Sequence, residues 1–127
     1  MELTLQTTEL LLAICELPPD AVLPDWLHEE GFCSVTRTGE ELSIVCPQER
    51  VPSEVTAERE WRAIRVKGPL DFSLTGILSA LLVPLAREGI SVFTLSTYRT
   101  DYLLIKADRF KEALHILGSL CTIEKTI

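Results

Sequence analysis

The sequence predicts an α+β fold, arranged as two tandem βαββαβ pseudo-repeats over residues 1–59 and 60–127, and three observations predict it. The first is the run Gly68-Pro-Leu-Asp-Phe-Ser-Leu-Thr-Gly-Ile-Leu and the later run Glu88-Gly-Ile-Ser-Val-Phe-Thr-Leu-Ser-Thr-Tyr-Arg-Thr-Asp-Tyr-Leu-Leu-Ile. Together they read as a strand end, a glycine-marked turn into an apolar helix, a second strand and a tight return into a third. The second is an echo: Glu30-Gly31-Phe32-Cys33-Ser34-Val35 matches Glu88-Gly89-Ile90-Ser91-Val92-Phe93 in character, and both lead into hairpins. The third is physical, since a small sheet with helices on one face leaves edges that need a partner.

The elements follow in order. Leu10 to Leu17 is a short apolar run stopped by Pro18 and Pro19, hence a strand. Pro24 to Gly31 carries a proline at its start, acids within it and a glycine past its end, which predicts a two-turn helix. Phe32–Thr38 and Glu41–Cys46 alternate and form a hairpin around Gly39. The acidic stretch from Gln48 to Glu58, with Pro52, is a connector with a short helix near Ser53. Glu60 to Lys67 alternates and stops at Gly68-Pro69, so it is a strand. Leu74, Ile77, Leu78, Leu81, Leu82 and Leu85 recur at helical spacing, with Ser73 as N-cap, Gly89 as stop and a kink expected at Pro84. Ile90–Thr97 and Tyr102–Lys106 are strands around a turn at Tyr98–Asp101. Asp108 is expected to cap a helix carrying Phe110, Ala113, Leu114 and Leu117 that ends at Gly118, and Cys121 to Ile127 is a closing strand.

Composition excludes several functions. At 46% hydrophobic and 24% charged the chain is globular rather than disordered. A net charge of −7, with twelve scattered basic residues, argues against a nucleic-acid surface, which needs clustered Lys and Arg. No apolar run reaches the roughly 20 residues that span a bilayer, and Met1-Glu-Leu-Thr-Leu-Gln lacks the basic flank of a signal peptide. Cys15, Cys33, Cys46 and Cys121 have no Cys-x-x-Cys spacing and no neighbouring histidine, which favours reduced thiols in a cytoplasmic protein over disulfides or zinc. His28 and His115 lie on different predicted helices with no nucleophile or metal spacing beside them. The pattern points to no enzyme, no cofactor and no metal, but to binding.

With Asp71-Phe-Ser-Leu-Thr-Gly-Ile-Leu in the first turn and helix, and Ser91-Val-Phe-Thr-Leu-Ser-Thr-Tyr-Arg-Thr-Asp-Tyr-Leu-Leu-Ile in the hairpin, the chain resembles tandem ACT-domain proteins. It is similar to the small bacterial ACT proteins related to CASTOR-type arginine sensors and to aspartate-kinase regulatory regions. The match is strong over residues 60 to 117; the first half fits by element order, with a shorter helix and no turn glycine. The resemblance implies a ferredoxin-like fold, a non-catalytic regulatory role, and paired units holding an amino acid at an ACT–ACT interface. It further implies a homodimer and, in one variant, a partner enzyme that the module regulates. Carried over to matching positions, Ser73, Thr75, Gly76 and Ile77 occupy the turn that cradles a ligand carboxylate. Ser91 and Val92 stand at the facing strand start, and Thr97, Tyr98 and Asp101 at the ligand-contacting hairpin.

Each of these residues also has a plainer reading. Gly76 leaves backbone open to a ligand, or only permits close helix-on-sheet packing. Asp101 pairs with a ligand ammonium or guanidinium, or hydrogen-bonds locally as turn aspartates do. Ser96, Thr97 and Thr100 read as hydroxyls of a solvated strand face, and Tyr98 as a pocket wall or a half-buried strand tyrosine. The rival function is a ligand-free oligomerisation or interaction adaptor.

Overall fold

The computed structural model describes residues 2–27, 30–68 and 75–125. Its strands are β1 (Thr4–Thr7), β2 (Leu12–Leu17), β3 (Ser34–Arg37), β4 (Leu42–Pro47), β5 (Thr56–Val66), β6 (Phe93–Ser96), β7 (Asp101–Lys106) and β8 (Thr122–Lys125). Its α-helices are α1 (Ile77–Arg87) and α2 (Ala107–Gly118), and two single 3-10 turns cover Asp25–Leu27 and Gln48–Arg50. Contacts divide the chain into two units: residues up to Glu9 with those from Arg62 onward, and Leu10–Trp61. The architecture is α+β and ferredoxin-like, and β5 runs through the division.

The unit Leu10–Trp61 orders its strands β5-β2-β4-β3, all antiparallel. That is the fourth-first-third-second order of a βαββαβ module, with a 3-10 turn among the described residues where each helix would stand. The two-turn helix expected from Pro24 is such a turn, Asp25–Leu27, and His28 lies outside the described residues. The helix expected near Ser53 forms earlier, at Gln48–Arg50. The unit's core is Ala13 and Cys15 of β2, Leu42, Ile44 and Cys46 of β4, and Val51 just past the second 3-10 turn, with Trp26 and Leu27 packed against it. Burying each large aliphatic here is worth about 1.5–3 kcal/mol. At Glu60 the backbone enters the left-handed region (φ 67°), where the β2–β5 register shifts. Gln48 holds this bulge, accepting from the Glu60 N–H at 2.7 Å through Oε1 and donating to its carboxylate through Nε2.

In the other unit β6 pairs with β7, β7 with β5, β5 with β1 and β1 with β8. The strand β1 was not expected from sequence; it lies between β5, antiparallel to it, and β8, parallel to it. Gln6 stands opposite both Arg65 and Glu124, and the three are chained: Arg65 donates to Gln6 Oε1 at 3.0 Å and Gln6 Nε2 donates to Glu124 at 2.8 Å. Ile77, Leu81 and Leu85 of α1 and Phe110, Ala113 and Leu117 of α2, each one turn apart, meet Leu5, Ile64, Val66, Leu103 and Ile105 of the sheet. The Arg62 guanidinium lies 3.9 Å over the Phe110 ring and donates to the Thr8 carbonyl at 2.7 Å, fastening α2 to the sheet.

The helix ends differ from the expected caps in instructive ways. Ser73 lies outside the described residues; α1 begins at Ile77 after Gly76, with no side-chain cap. Pro84 sits inside α1, which continues to Arg87. The stop at Gly89 holds: its φ is 69°, its N–H bonds to Ala86 O at 3.0 Å, and Ile90 N–H bonds to Leu85 O at 3.1 Å. This paired 5→2 and 6→1 closure places Ile90 beside Leu85 in the core. Asp108 is not the cap of α2. The strand β7 runs straight into the helix, so Lys106 takes the cap position without a side-chain bond and Asp108 falls in the first turn, where the dipole still favours an acid.

Candidate functional site

The hairpin between β6 and β7 presents the polar groups. Threonine makes its turn: Thr97 N–H bonds to Thr100 O at 2.8 Å, Thr97 Oγ1 donates to the same carbonyl at 3.2 Å, and Thr100 N–H reaches Thr97 Oγ1 at 3.3 Å. The last cross-strand pair before the turn is Ser96 with Asp101, and Ser96 Oγ donates to Asp101 Oδ1 at 2.6 Å. Tyr98 stands at the tip with 82% of its surface exposed, and is not the half-buried strand residue of the plainer reading. Thr100 is not on a solvated face. It is 4% exposed, and its hydroxyl donates to the carbonyl of Val66, the last residue of β5, at 2.5 Å. That bond ties the hairpin tip to the end of β5 from which the chain leaves toward α1.

At the start of α1, Gly76 is left-handed (φ 79°, ψ 1°) and its carbonyl accepts the first helical bond, from Ala80 N–H at 3.0 Å. Among the described residues nothing lies within 4 Å of where a Cβ would sit. Packing against the described residues therefore does not call for a glycine here, whereas the left-handed backbone does. Thr75 and Gly76 are exposed, while Ile77 is buried in the core. Ser91 and Val92 precede β6, just past the end of α1, whereas Asp101 follows the far end of β6. Within this unit the structure thus separates Ser91 and Val92 from Thr97, Tyr98 and Asp101 by the length of a four-residue strand, about 13 Å.

The N-terminal unit contains the same hairpin. β3 and β4 have the lengths of β6 and β7, Thr38 N–H bonds to Glu41 O at 2.9 Å, and Thr38 Oγ1 accepts from the N–H groups of Glu40 and Glu41 at 3.1 and 3.3 Å. Its closing pair is Arg37 with Leu42. Leu42 is fully buried, and Arg37 turns to the loop after β2, donating to the Ala21 carbonyl at 2.8 Å and to the Pro19 carbonyl.

The thiols form no metal centre: among the described residues no group of three or more His, Cys, Asp or Glu has metal-holding geometry. Cys15 and Cys46 are buried on β2 and β4 and lie diagonally, since Cys46 pairs with Ala13 and Cys15 with Ile44. The Cys46 thiol hydrogen-bonds to Cys15, which lowers the first proton loss at Cys15 and pushes the Cys46 thiol far up. Cys33 is exposed, and partial burial followed by the neighbouring Cys46 raises its thiol. No described helix is long and apolar enough to cross a membrane.

Comparison with known proteins agrees with the folded unit. The ACT domain family model matches residues 56–119, and a second model, of an N-terminal domain, matches residues 11–54. The human protein CASTOR3P is 35% identical over 105 residues, 72% of this chain and 64% of the relative. The cytosolic arginine sensor for mTORC1 subunit 1 of Bos taurus is 31% identical over 98 residues, 68% of this chain but 30% of the sensor. The chain therefore spans less than two thirds of the length of either relative. Among solved structures, an Agrobacterium tumefaciens protein aligns over 100% of this chain and 96% of its own, with TM-score 0.92 and 30% identity. The regulatory subunit of aspartate kinase from Thermus thermophilus, covering 87% of this chain and 93% of its own, shares the fold with TM-score 0.59 at 11% identity.

Proposed function

The chain belongs to the ACT domain family, and from that premise we propose that it is a non-catalytic regulatory module that binds a small molecule, an amino acid, at a seam between ACT units. The observation that carries this reading is the Asp101 carboxylate, held by Ser96 at the tip of a hairpin in the unit that matches the family. Such a carboxylate suits a ligand ammonium or guanidinium. The name of the arginine-sensor relatives points the same way. Thr75, Gly76 and Ile77 are the proposed carboxylate-binding turn, with Ser73 preceding them outside the described residues. Because Ser91 and Val92 lie at the opposite end of β6 from Asp101, a site that uses both ends takes one from each of two ACT units, which favours a homodimer. Ligand then stabilises one arrangement of the units in proportion to its differential affinity, and a partner enzyme reads the change.

A thermal-shift screen against the twenty amino acids and common nucleotides, followed by calorimetry, tests the reading. Ligand at a hundred times its dissociation constant stabilises a fold by about 2.7 kcal/mol. A selective amino-acid response supports the sensor, and silence from folded, ligand-free protein refutes it. The second reading, an oligomerisation adaptor, is favoured by β3 and β6, each of which ends its sheet with one pairing partner among the described strands.

A further inference from the structure

Three thiols stand in a row across the strands at the edge of the N-terminal unit. The β3–β4 ladder pairs Arg37 with Leu42, Val35 with Ile44 and Ser34 with Val45. One step before Ser34, the same register sets Cys33 opposite Cys46, on the face where Leu42, Ile44 and Cys46 line the core. On the other side of β4, Cys46 meets Cys15 of β2 diagonally, and the two thiols share a hydrogen bond. Cys46 is fully buried, whereas Cys33 is exposed. The row thus runs from solvent into the core, with Cys46 in its middle.

Distance selects between the two bridges this row could form. Directly opposed residues on antiparallel strands have Cα atoms about 4.5–5.5 Å apart, inside the roughly 4.4–6.8 Å that a disulfide spans. Diagonal neighbours stand about 7–8 Å apart, outside that range. Cys15 can therefore hydrogen-bond to Cys46 but not bridge to it without backbone movement, while Cys33 can bridge. Arg50 adds a charge beside the pair. Its Nη2 lies 3.4 Å from the place a Cβ would take at Gly31 and donates to the Glu30 carbonyl, and its Nη1 is buried with no partner among the described residues. That guanidinium favours the thiolate forms of both Cys33 and Cys46. Partial burial and the neighbouring Cys46 outweigh it and hold the Cys33 thiol above its ordinary value, so the chemistry is slow at neutral pH. A thiolate of higher pKa is the stronger nucleophile once formed, which offsets part of that loss.

We propose that Cys33 and Cys46 are a reversible modification site, forming a disulfide by exchange with a small disulfide such as oxidised glutathione and clasping the leading end of β3 to β4. The Cys33 thiolate attacks one sulfur of the small disulfide, making a mixed disulfide and releasing one glutathione thiolate, which takes up the Cys33 proton. Cys46 then attacks the Cys33 sulfur, and the second glutathione leaves with the Cys46 proton. Two protein thiols are oxidised and one glutathione disulfide is reduced to two thiols, so no other oxidant enters.

Equilibration of the reduced full chain in glutathione buffers of rising oxidised fraction, followed by acid quench, intact mass and peptide mapping, tests this. The expected product has lost two hydrogens, carries no glutathione, maps to a Cys33–Cys46 peptide pair and returns to the reduced mass in dithiothreitol. Amide exchange of residues 31–34 slows in the oxidised form. Cys33→Ser abolishes the bridge, Cys46→Ser accumulates the mixed disulfide on Cys33, and Cys15→Ser and Cys121→Ser both still form the bridge. A Cys15–Cys46 bridge, a link between two chains, wild-type protein that stops at the Cys33 adduct, or protein that stays reduced in the most oxidising buffer would overturn the inference. Should Cys46→Ser fail to fold, the peptide map of the wild-type bridge decides alone.

Discussion

Replacing Thr100 by Val tests how the hairpin is held against the sheet. The two side chains are nearly isosteric, so the substitution removes the hydroxyl that donates to the Val66 carbonyl at 2.5 Å from a residue 4% exposed. The net value of such a bond is about 0.5–1.5 kcal/mol, and a buried acceptor left short of a partner costs about 1–3 kcal/mol. The expected loss is therefore about 1–3 kcal/mol. For a chain of this size, about 3–5 °C in Tm accompanies each kcal/mol. Thr100→Ser is the control, because it keeps the hydroxyl and gives up one methyl, about 0.8 kcal/mol. Urea unfolding gives the free energies, and amide hydrogen exchange localises them: protection of residues 97–101 falls in the valine variant and holds in the serine variant. A valine variant within about 0.5 kcal/mol of wild type, or one less perturbed than the serine variant, would show that the bond contributes nothing and refute the reasoning.

Three further outcomes follow from the same geometry. Gly76→Ala forces a side chain into a left-handed position (φ 79°) and should cost about 1–2 kcal/mol by thermal unfolding, with no steric part because nothing described lies within 4 Å. In native protein at neutral pH, iodoacetamide should modify Cys33 first and slowly, since its thiol is raised by burial, and should reach the buried Cys15 and Cys46 only on unfolding; mass mapping of the adducts decides. Gln6, and then Lys67, hold the Glu124 carboxyl below the usual range, so its contribution is present above about pH 4.3 and lost as pH falls through the lower folded value. Carboxyl carbon shifts should show Gln6→Ala moving that titration upward, and no movement would remove Gln6 as the cause.

Long apolar periodicities were legible in the sequence and short or non-local features were not. The pattern through Ile77, Leu81 and Leu85 marks α1, and the sequence Glu88-Gly89-Ile90 marks its closure, because each feature has a local physical cause. Four-residue β1 has no such signature: Thr4–Thr7 becomes a strand because Lys67, Arg65 and Glu124, far away in the chain, supply its neighbours. The first half of β5 was hidden by its charges, since Thr56, Glu58 and Glu60 face solvent while Ala57 and Arg59 are half-buried. In the hairpin, Asp101 stood out as a turn residue. The roles of Ser96, Thr97 and Thr100 did not, because a hydroxyl looks the same in sequence whether it meets water, a carboxylate or a buried carbonyl.

The placement of β1 also sets an order of events during synthesis. Its parallel partner, Thr122–Lys125, leaves the ribosome last among the described strands, so Thr4–Thr7 must wait for more than a hundred further residues, about 115, before its ladder can close. Leu10–Trp61, by contrast, is contiguous and has its own core, so it is free to fold first. The unit carrying Asp101 is thus the later one to mature, and a nascent chain does not complete the proposed binding hairpin's sheet until synthesis has passed Lys125.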